Sequence, residues 1–309
     1  MIPPDDGPSP SAGDLASVRG RQPRDGQVTD GRDAGVPSLP GRAAITRTGG
    51  ANPFDVTPDE GEHYDAVRPS YPSAAVDWVL EGLDVPLDVV DLGAGTGLFT
   101  RLLAARPAHE VRTVVAVEPS ESMRAVLVRD VADPEGAYGA AGRVRALPGT
   151  AEATGLTEAR ADVVVAAQAW HWVDVPRASR EAARVLRLGG RLAAVWNQLD
   201  TTVPWVHRLT RIMHAGDVHA AAPEQRRFAA PFGTEDHGRW GWSMELTPAQ
   251  LHGLMASRSY WLRATPATRE RMTANLDWYL HEHLGHAEQE VLTVPYLTVA
   301  WRARRPRRR

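Results

Sequence analysis

Apolar positions in the middle of this chain form short continuous runs, separated by stretches with helical spacing. Such runs predict strands buried on both faces of a sheet, since a strand with one solvated face would alternate apolar and polar residues. Five strands are predicted in this way, at 87–90, 111–117, 144–147, 162–168 and 191–196. Apolar residues at helical spacing follow the first, second and fourth runs, so the pattern predicts an α/β fold with a parallel sheet.

The chain on either side of these strands also shows periodic segments. Ser73 is predicted to cap a helix over 74–83, and Gly189 with Gly190 is predicted to end a helix over 177–188. After the fifth strand the pattern indicates a helix at 203–213, a polar loop at 214–239, a strand at 240–246, helices at 249–257 and 268–285, and a last strand at 288–302.

One stretch, Val89 to Phe99, combines a strand, a glycine-rich loop and the start of a helix. Gly93, Gly95 and Gly97 alternate with other residues directly after the apolar run. Glycine allows a tight turn and a close approach of a ligand, and a helix that begins at about Thr96 or Gly97 presents unpaired N–H groups to it. The stretch therefore predicts a site for a nucleotide-like cofactor.

The spacing of these glycines separates two kinds of cofactor. Dinucleotide-binding loops carry G-x-G-x-x-G, whereas this chain has G-x-G-x-G with Leu98 at the sixth position. Asp91 lies two residues before the first glycine, where a carboxylate would repel a pyrophosphate but would suit a cofactor with a cationic amino acid group. A nicotinamide-dependent oxidoreductase is therefore disfavoured.

The loop in full, D-L-G-A-G-T-G, resembles the first motif of class I S-adenosylmethionine-dependent methyltransferases. Four further segments resemble type 11 methyltransferases of the trans-aconitate methyltransferase-like branch. They are Tyr64 with R-P-S-Y-P at 68–72, G-T-A-E-A-T-G-L at 149–156, Q-A-W-H-W-V-D at 168–174 and V-L-R-L-G-G-R-L-A-A-V-W-N at 185–197. The resemblance covers about 54–302. It implies a Rossmann-like parallel sheet with helices on both faces, an antiparallel terminal strand and a mostly helical C-terminal cap.

The resemblance also implies S-adenosyl-L-methionine as the cofactor and indicates the residues that hold it. Glu118 ends the second strand, where an acid can accept hydrogen bonds from both ribose hydroxyls of an adenosine. Met123 is expected beside the adenine, with Ala151 and Glu152 at its edge. The cofactor candidates are Asp91, Gly93, Ala94, Gly95, Thr96, Gly97, Glu118, Pro119, Met123, Ala151, Glu152, Gln168, Tyr64 and Arg68.

The acceptor is expected at the aromatic stretch after the fourth strand, since ligands bind beyond the carboxyl ends of parallel strands. Trp170, His171 and Trp172 are the substrate candidates. The branch favours a small-molecule acceptor methylated at oxygen. For a hydroxyl or amine acceptor His171 is a candidate general base, whereas a carboxylate needs none and His171 would then line the pocket or bond a backbone group.

Composition excludes several other chemistries. The chain has no Cys and no Lys, so thiol nucleophiles, Schiff bases and methylation of pyrimidine C5 through a Cys are ruled out. The fourth strand lacks the N/D-P-P-Y/F signature of enzymes that methylate base amino groups. Six Arg among the last nine residues could contact phosphates, but a solvated basic tail is favoured over a nucleic-acid partner.

Histidine spacing and hydropathy bear on metal binding and on membrane insertion. No metal is expected, because the histidines do not follow a metal-ligand pattern. No run of 18 apolar residues occurs, so no membrane span is expected and a cytoplasmic location is predicted.

Residues 1–50 are poor in large apolar side chains and predict either a disordered leader or an over-long gene start. The predicted segments are this leader at 1–50, a cofactor-binding core at 51–200, a helical cap at 201–286, the terminal strand of the core sheet at 287–302 and a basic tail at 303–309. A small-molecule methyltransferase is the favoured function. The alternatives are a cofactor-binding protein without turnover and a nucleic-acid methyltransferase.

Overall fold

The computed structural model describes residues 67–132, 142–214 and 227–307. Its strands are β1 Leu87–Leu92, β2 Val111–Val117, β3 Val144–Leu147, β4 Ala161–Ala167, β5 Leu186–Leu199, β6 Asp236–Leu246 and β7 Leu292–Arg304. Its α-helices are α1 Ser73–Leu80, α2 Leu98–Ala104, α3 Glu121–Ala132, α4 Val175–Val185, α5 Pro204–Ile212, α6 Pro248–Ala256, α7 Ser259–Arg263 and α8 Pro266–Asp277. The predicted leader and Tyr64 lie outside the described residues.

The seven strands form one sheet in the order β3-β2-β1-β4-β5-β7-β6. Strands β1 to β5 are parallel, and β1 lies between β2 and β4 with all six of its residues buried. Val90 and Leu92 pack in one apolar layer with α4, while Leu87 and Val89 pack in the other with α1 and α2. Because both faces are covered by helices, the predicted Rossmann-like parallel sheet is confirmed.

Strand β7 runs antiparallel to both of its neighbours, β5 and β6, which confirms the predicted antiparallel terminal strand. The 201–286 segment also contributes to the sheet through β6, which begins at Asp236 and not at Trp240 as predicted. Its helices α5, α6 and α8 pack with β6 and β7 around a third apolar cluster. Thr247 caps α6 by accepting from the Gln250 N–H, as the sequence pattern indicates.

Two predicted helix boundaries are wrong. Gly189 and Gly190 do not end a helix, because α4 stops at Val185 and the glycines lie within β5. A Cβ on Gly190 would lie 2.9 Å from the Asp162 carbonyl oxygen, so the glycine permits close contact with β4. Ser73 is the first residue of α1 and forms no cap, since Pro72 occupies the cap position.

The arginine-rich end of the chain is fixed to the sheet through residue 305. Strand β7 continues through Arg304, and the Arg305 N–H donates to the Gly190 carbonyl at 2.7 Å. The guanidinium of Arg304 donates to the Gly82 carbonyl at 2.9 Å. Arg304 is exposed and Arg305 is half-buried, so the arginines of this segment remain in contact with solvent while their backbone belongs to the sheet. Within the described residues, no helix has the length and apolar character needed to cross a membrane.

Candidate active site

The carboxyl ends of β1, β2 and β4 open into a cavity of about 470 Å³. Its wall includes most of the cofactor candidates: Arg68, Asp91, Gly93, Ala94, Gly95, Thr96, Glu118, Pro119, Met123, Ala151, Glu152 and Gln168. Trp172 also lines it. The wall does not include Gly97, Trp170 or His171. The crevice rule for parallel sheets therefore brings together residues from five separate segments of the chain.

Gly93 and Gly97 of the loop each require glycine, but for different structural reasons. Gly93 adopts a φ of +63°, and a Cβ there would lie 2.7 Å from the Ala169 Cβ at the end of β4. Gly97 is the cap of α2 at a φ of +93°, and a Cβ there would lie 2.8 Å from the Leu127 Cγ. Gly93 thus lets the loop approach β4 beside the cavity, whereas Gly97 lets α2 pack against α3.

Asp91 is fully buried at the end of β1 and has only part of its hydrogen-bonding capacity satisfied. Its Oδ2 accepts from the Thr100 hydroxyl at 2.6 Å, and its Oδ1 has no hydrogen-bond partner among the described residues. Burial raises the pKa of Asp91 to about 7, with Glu118 adding to the effect and the Thr100 hydrogen bond opposing it. A buried acceptor atom without a partner favours a ligand that supplies a donor there.

Glu118 follows β2 and is 5% exposed. Its two oxygens accept hydrogen bonds from the N–H groups of Gly95, at 2.9 Å, and Ser120, at 2.8 Å. Burial raises the pKa of Glu118, and these two hydrogen bonds partly oppose that effect. Each carboxylate oxygen can still accept a second hydrogen bond from a hydroxyl in the cavity.

Gln168 closes the wall at the end of β4 in a backbone conformation that is uncommon for a non-glycine residue, with a φ of +56°. Its N–H donates to the Val195 carbonyl at 2.8 Å, and its side-chain Nε2 donates to the Asn197 carbonyl at 2.6 Å. These bonds to β5 hold the strained residue in place. Strain of this kind is concentrated at functional sites.

Glu152 connects two parts of the cavity wall. Its Oε1 accepts from the Asp174 N–H at 2.7 Å, which ties the segment after β3 to the turn after β4. The Asp174 side chain in turn accepts from the Arg177 N–H and caps α4. The predicted adenine-edge residue is therefore also a structural link.

The aromatic stretch after β4 forms a single 3₁₀ turn, Trp170–Trp172, and its three side chains have different environments. Trp170 is 2% exposed and donates from Nε1 to the Arg227 carbonyl at 2.7 Å. Its proposed contact with substrate is therefore not supported, because it packs in the core against Phe228. Trp172 is 41% exposed and is the member of the turn that reaches the cavity.

His171 is exposed, and its Nδ1 accepts a hydrogen bond from the Trp196 indole N–H at 3.2 Å. In a neutral imidazole an accepting Nδ1 places the proton on Nε2. Neither ring nitrogen then offers a lone pair to an acceptor molecule. The geometry thus disfavours the general-base role and allows His171 to act as a hydrogen-bond donor.

Sequence reasoning missed several residues around the cavity. Tyr71 lines it and packs edge-on against Phe99, with ring centroids 5.0 Å apart. The Arg68 guanidinium donates to the Ser257 carbonyl at 2.5 Å, and Arg263 of α7 lies over the Trp172 ring at 5.6 Å. Tyr71 is close in sequence to Arg68 and could have been inferred. Ser257 and Arg263 carry no local signal, since only the fold brings them into contact with Arg68 and Trp172 of the cavity wall.

Comparison with known proteins identifies the family. A model described as a methyltransferase domain matches residues 90–194. An uncharacterized methyltransferase of Mycobacterium tuberculosis is 39% identical over 241 residues, which cover 78% of this chain and 91% of the relative. This chain is a methyltransferase. It belongs to the class I S-adenosylmethionine-dependent family, as the glycine loop and the fold predicted.

Two further matches extend over most of the methyltransferase. An uncharacterized methyltransferase-like protein of Schizosaccharomyces pombe is 31% identical over 222 residues, covering 69% of this chain and 81% of the relative. A solved structure assigned as a type II methyltransferase of Anaeromyxobacter dehalogenans has a TM-score of 0.58 and 27% identity, covering 78% of this chain and 99% of that one. The expected cofactor, S-adenosylmethionine, is confirmed by the family.

Proposed function

We propose that this methyltransferase methylates an oxygen atom of a small-molecule acceptor, and that a carboxylate fits better than a hydroxyl. The observation that carries the proposal is the absence of a histidine from the cavity wall among the described residues. The ionisable groups there are Arg68, Tyr71, Asp91, Glu118 and Glu152, and the Tyr71 ring packs edge-on against Phe99. A hydroxyl or amine acceptor must lose a proton to a base, whereas a carboxylate oxygen is already nucleophilic.

None of the three acids on the wall is well placed to serve as that base. Glu118 and Glu152 already accept hydrogen bonds from backbone N–H groups, and Asp91 is fully buried. Methyl transfer then depends on orientation, because bound S-adenosylmethionine supplies a methyl group on a cationic sulfur atom.

The wall residues fit the parts of the cofactor. We assign the partnerless Oδ1 of Asp91 to its ammonium group, the Arg68 guanidinium to its carboxylate end, and Glu118 to the ribose hydroxyls. Met123, Ala151 and Glu152 would surround the adenine. Ala94, Thr96, Pro119 and Gln168 complete the wall.

Trp172 defines the acceptor end of this proposal. The exposed face of Trp172 at the cavity would interact favourably with a cationic sulfur, by about 1 kcal/mol. Trp172 therefore supports placing the methyl-bearing sulfur of the cofactor at this end of the cavity.

The position of the arginine-rich chain end supports a small molecule over a nucleic acid. Arg304 pairs with Arg191 at the beginning of the regular part of β5, so these cations lie at the amino ends of the parallel strands. The cavity lies at the carboxyl ends. A nucleic acid bound by the terminal arginines would therefore not be presented to the cavity.

The test is transfer of a radiolabelled methyl group to matched panels of small carboxylic acids, alcohols and amines. We expect labelled products from acids that release methanol under mild alkali, as methyl esters do. An alkali-stable product from an alcohol or amine would contradict the carboxylate assignment. Labelling of RNA would overturn the small-molecule assignment. Tight S-adenosylhomocysteine binding without transfer to any acceptor would favour the protein without turnover.

A further inference from the structure

Strand β6 lies at one edge of the sheet, and only one of its sides is paired within the described residues. All eleven of its residues pair with β7 in one continuous register, from Asp236 opposite Arg302 to Leu246 opposite Leu292. An edge strand of this kind presents a row of unpaired backbone N–H and C=O groups to another chain.

The two edges of the sheet differ in length. The opposite edge strand, β3, has four residues, from Val144 to Leu147. Proteins commonly protect a long edge with a proline, a bulge or very short strands. Strand β6 contains no Pro, and its pairing with β7 shows no register shift. This edge therefore has the features of a pairing surface.

We propose that β6 pairs antiparallel with β6 of a second copy of this chain, about a twofold axis at Trp242. This register places Arg239 opposite Glu245 of the second copy, and the symmetry repeats the ion pair. Both residues are exposed and lie on the same face of the strand. Opposite charges directly across an antiparallel pair stabilise it.

Other twofold registers do not produce this complementarity. An axis at Gly241 places Arg239 opposite Ser243, and an axis at Trp240 places it opposite Gly241. An axis at Arg239 would place two arginines against each other. The axis at Trp242 also brings Trp240 opposite Met244 on the second face, where a sulfur atom and an aromatic ring pack favourably.

The side chains of that second face are already held in suitable positions. Trp242 stacks on Tyr296 of β7 with ring centroids 5.1 Å apart, and Trp240 packs against Trp78 with centroids 5.6 Å apart. Both rings therefore have a packing partner in their own subunit. The resulting dimer is isologous and continues one sheet through both subunits.

Charge reversal of the full-length chain tests the proposal by sedimentation velocity over a concentration series. Arg239→Glu and Glu245→Arg should each weaken the dimer by at least about tenfold, since each places like charges opposite one another twice. The double variant should restore it. Arg145→Glu is the matched control, because Arg145 is an exposed arginine on β3, the opposite edge strand.

Cysteine cross-linking tests the register, since the natural chain has no Cys. Gly241→Cys and Ser243→Cys, mixed in equal amounts with different tags, should form the mixed disulfide, because these positions are opposite each other in the proposed dimer. Disulfides only between identical variants would overturn the register. A monomer at every concentration, or a dimer unaffected by Arg239→Glu, would overturn the proposal.

Discussion

Two aspartates on the same strand, Asp88 and Asp91, are both buried but have opposite electrostatic environments. At the amino end of β1, Asp88 accepts from Arg112 at 2.6 Å and 3.0 Å, from Thr113 at 2.6 Å and from Arg187 at 2.9 Å. Burial raises the pKa of Asp88, but these hydrogen bonds outweigh it and hold the pKa well below its usual range. Among the described residues, Asp91 accepts a side-chain hydrogen bond from Thr100, and its pKa is raised.

This difference distinguishes the Asp88 carboxylate, which stabilises the fold, from the Asp91 carboxylate, which is suited to bind a ligand. The first has its partners within the protein and favours the ionised form. The Asp91 carboxylate retains an oxygen without a partner, so burial destabilises its ionised form until a cation binds. Burial alone does not separate the two cases, since both side chains are almost inaccessible to solvent.

Replacing Asp91 should give the largest effect. We expect Asp91→Asn to weaken S-adenosylhomocysteine binding by about 100-fold, because it removes the carboxylate assigned to the ammonium group. The measurement is isothermal titration calorimetry at pH 8. An affinity within threefold of the natural protein would contradict the assignment.

The same variant should unfold less readily at pH 8. Burial raises the pKa of Asp91 from 3.8 to about 7, so the native chain binds more protons than the unfolded chain between these values. Its contribution to stability is therefore present below about pH 4 and is lost as the pH rises to about 7. We expect Asp91→Asn to raise the free energy of unfolding, measured with denaturant, by roughly 2 kcal/mol. This figure allows for the cost of burying the amide N–H of the asparagine.

Asp88→Asn is the matched change at the other end of the strand. It should lower stability and leave cofactor binding almost unchanged, which is the reverse of Asp91→Asn. It leaves Arg112, Arg160 and Arg187 without a shared carboxylate, so we expect a loss of about 2–3 kcal/mol in the free energy of unfolding. Cofactor affinity should stay within about twofold, since Asp88 is distant from the cavity wall. If Asp88→Asn lost cofactor binding but kept its stability, the roles assigned to Asp88 and Asp91 would both be wrong.

The two aspartates should also differ in their effect on the pH dependence of S-adenosylhomocysteine binding. With a pKa of about 7, Asp91 is mostly protonated at pH 6 and mostly ionised at pH 8. The Kd for S-adenosylhomocysteine should therefore be about tenfold higher at pH 6 than at pH 8. Asp88→Asn should keep this slope and Asp91→Asn should lose it. A flat profile in the natural protein would show that the carboxylate is not the group that pairs with the ligand.

The smallest effect is expected at His171. Its Nδ1 is occupied by the Trp196 N–H, so we expect His171→Ala to change kcat by less than about threefold and to keep the shape of the pH–rate profile. Steady-state kinetics with the identified acceptor would show this. A loss of about 100-fold, with one limb of the profile removed, would restore the general-base interpretation.

The sequence predicted the parallel sheet well, because buried strands carry a strong apolar signal. The bounds of β2 at 111–117 and β3 at 144–147 agree between pattern and structure. Most of the cofactor candidates also meet at one cavity, since each follows a parallel strand or belongs to a recognisable motif. Helix ends were predicted less well, as Gly190 shows, because glycine permits a close contact between strands as readily as it ends a helix.

Contacts between distant segments could not be predicted. Trp170 and Trp172 are equivalent in a motif, but a 3₁₀ turn directs one into the core and the other to the cavity. The arginines around Asp88 come from three separate segments, at 112, 160 and 187, and no local pattern links them. Two residues of the cavity wall, Arg68 and Trp172, have such contacts with Ser257 and Arg263.

The direction of β7 has a practical consequence for attaching this protein to a surface. Its last residues lie beside the beginning of β5, and Arg305 is bonded to Gly190 there. The chain therefore leaves the sheet at the end away from the cavity. A biosensor tether joined to the C-terminus would present the cavity to the solution, and a fused fluorescent domain would leave ligand access open.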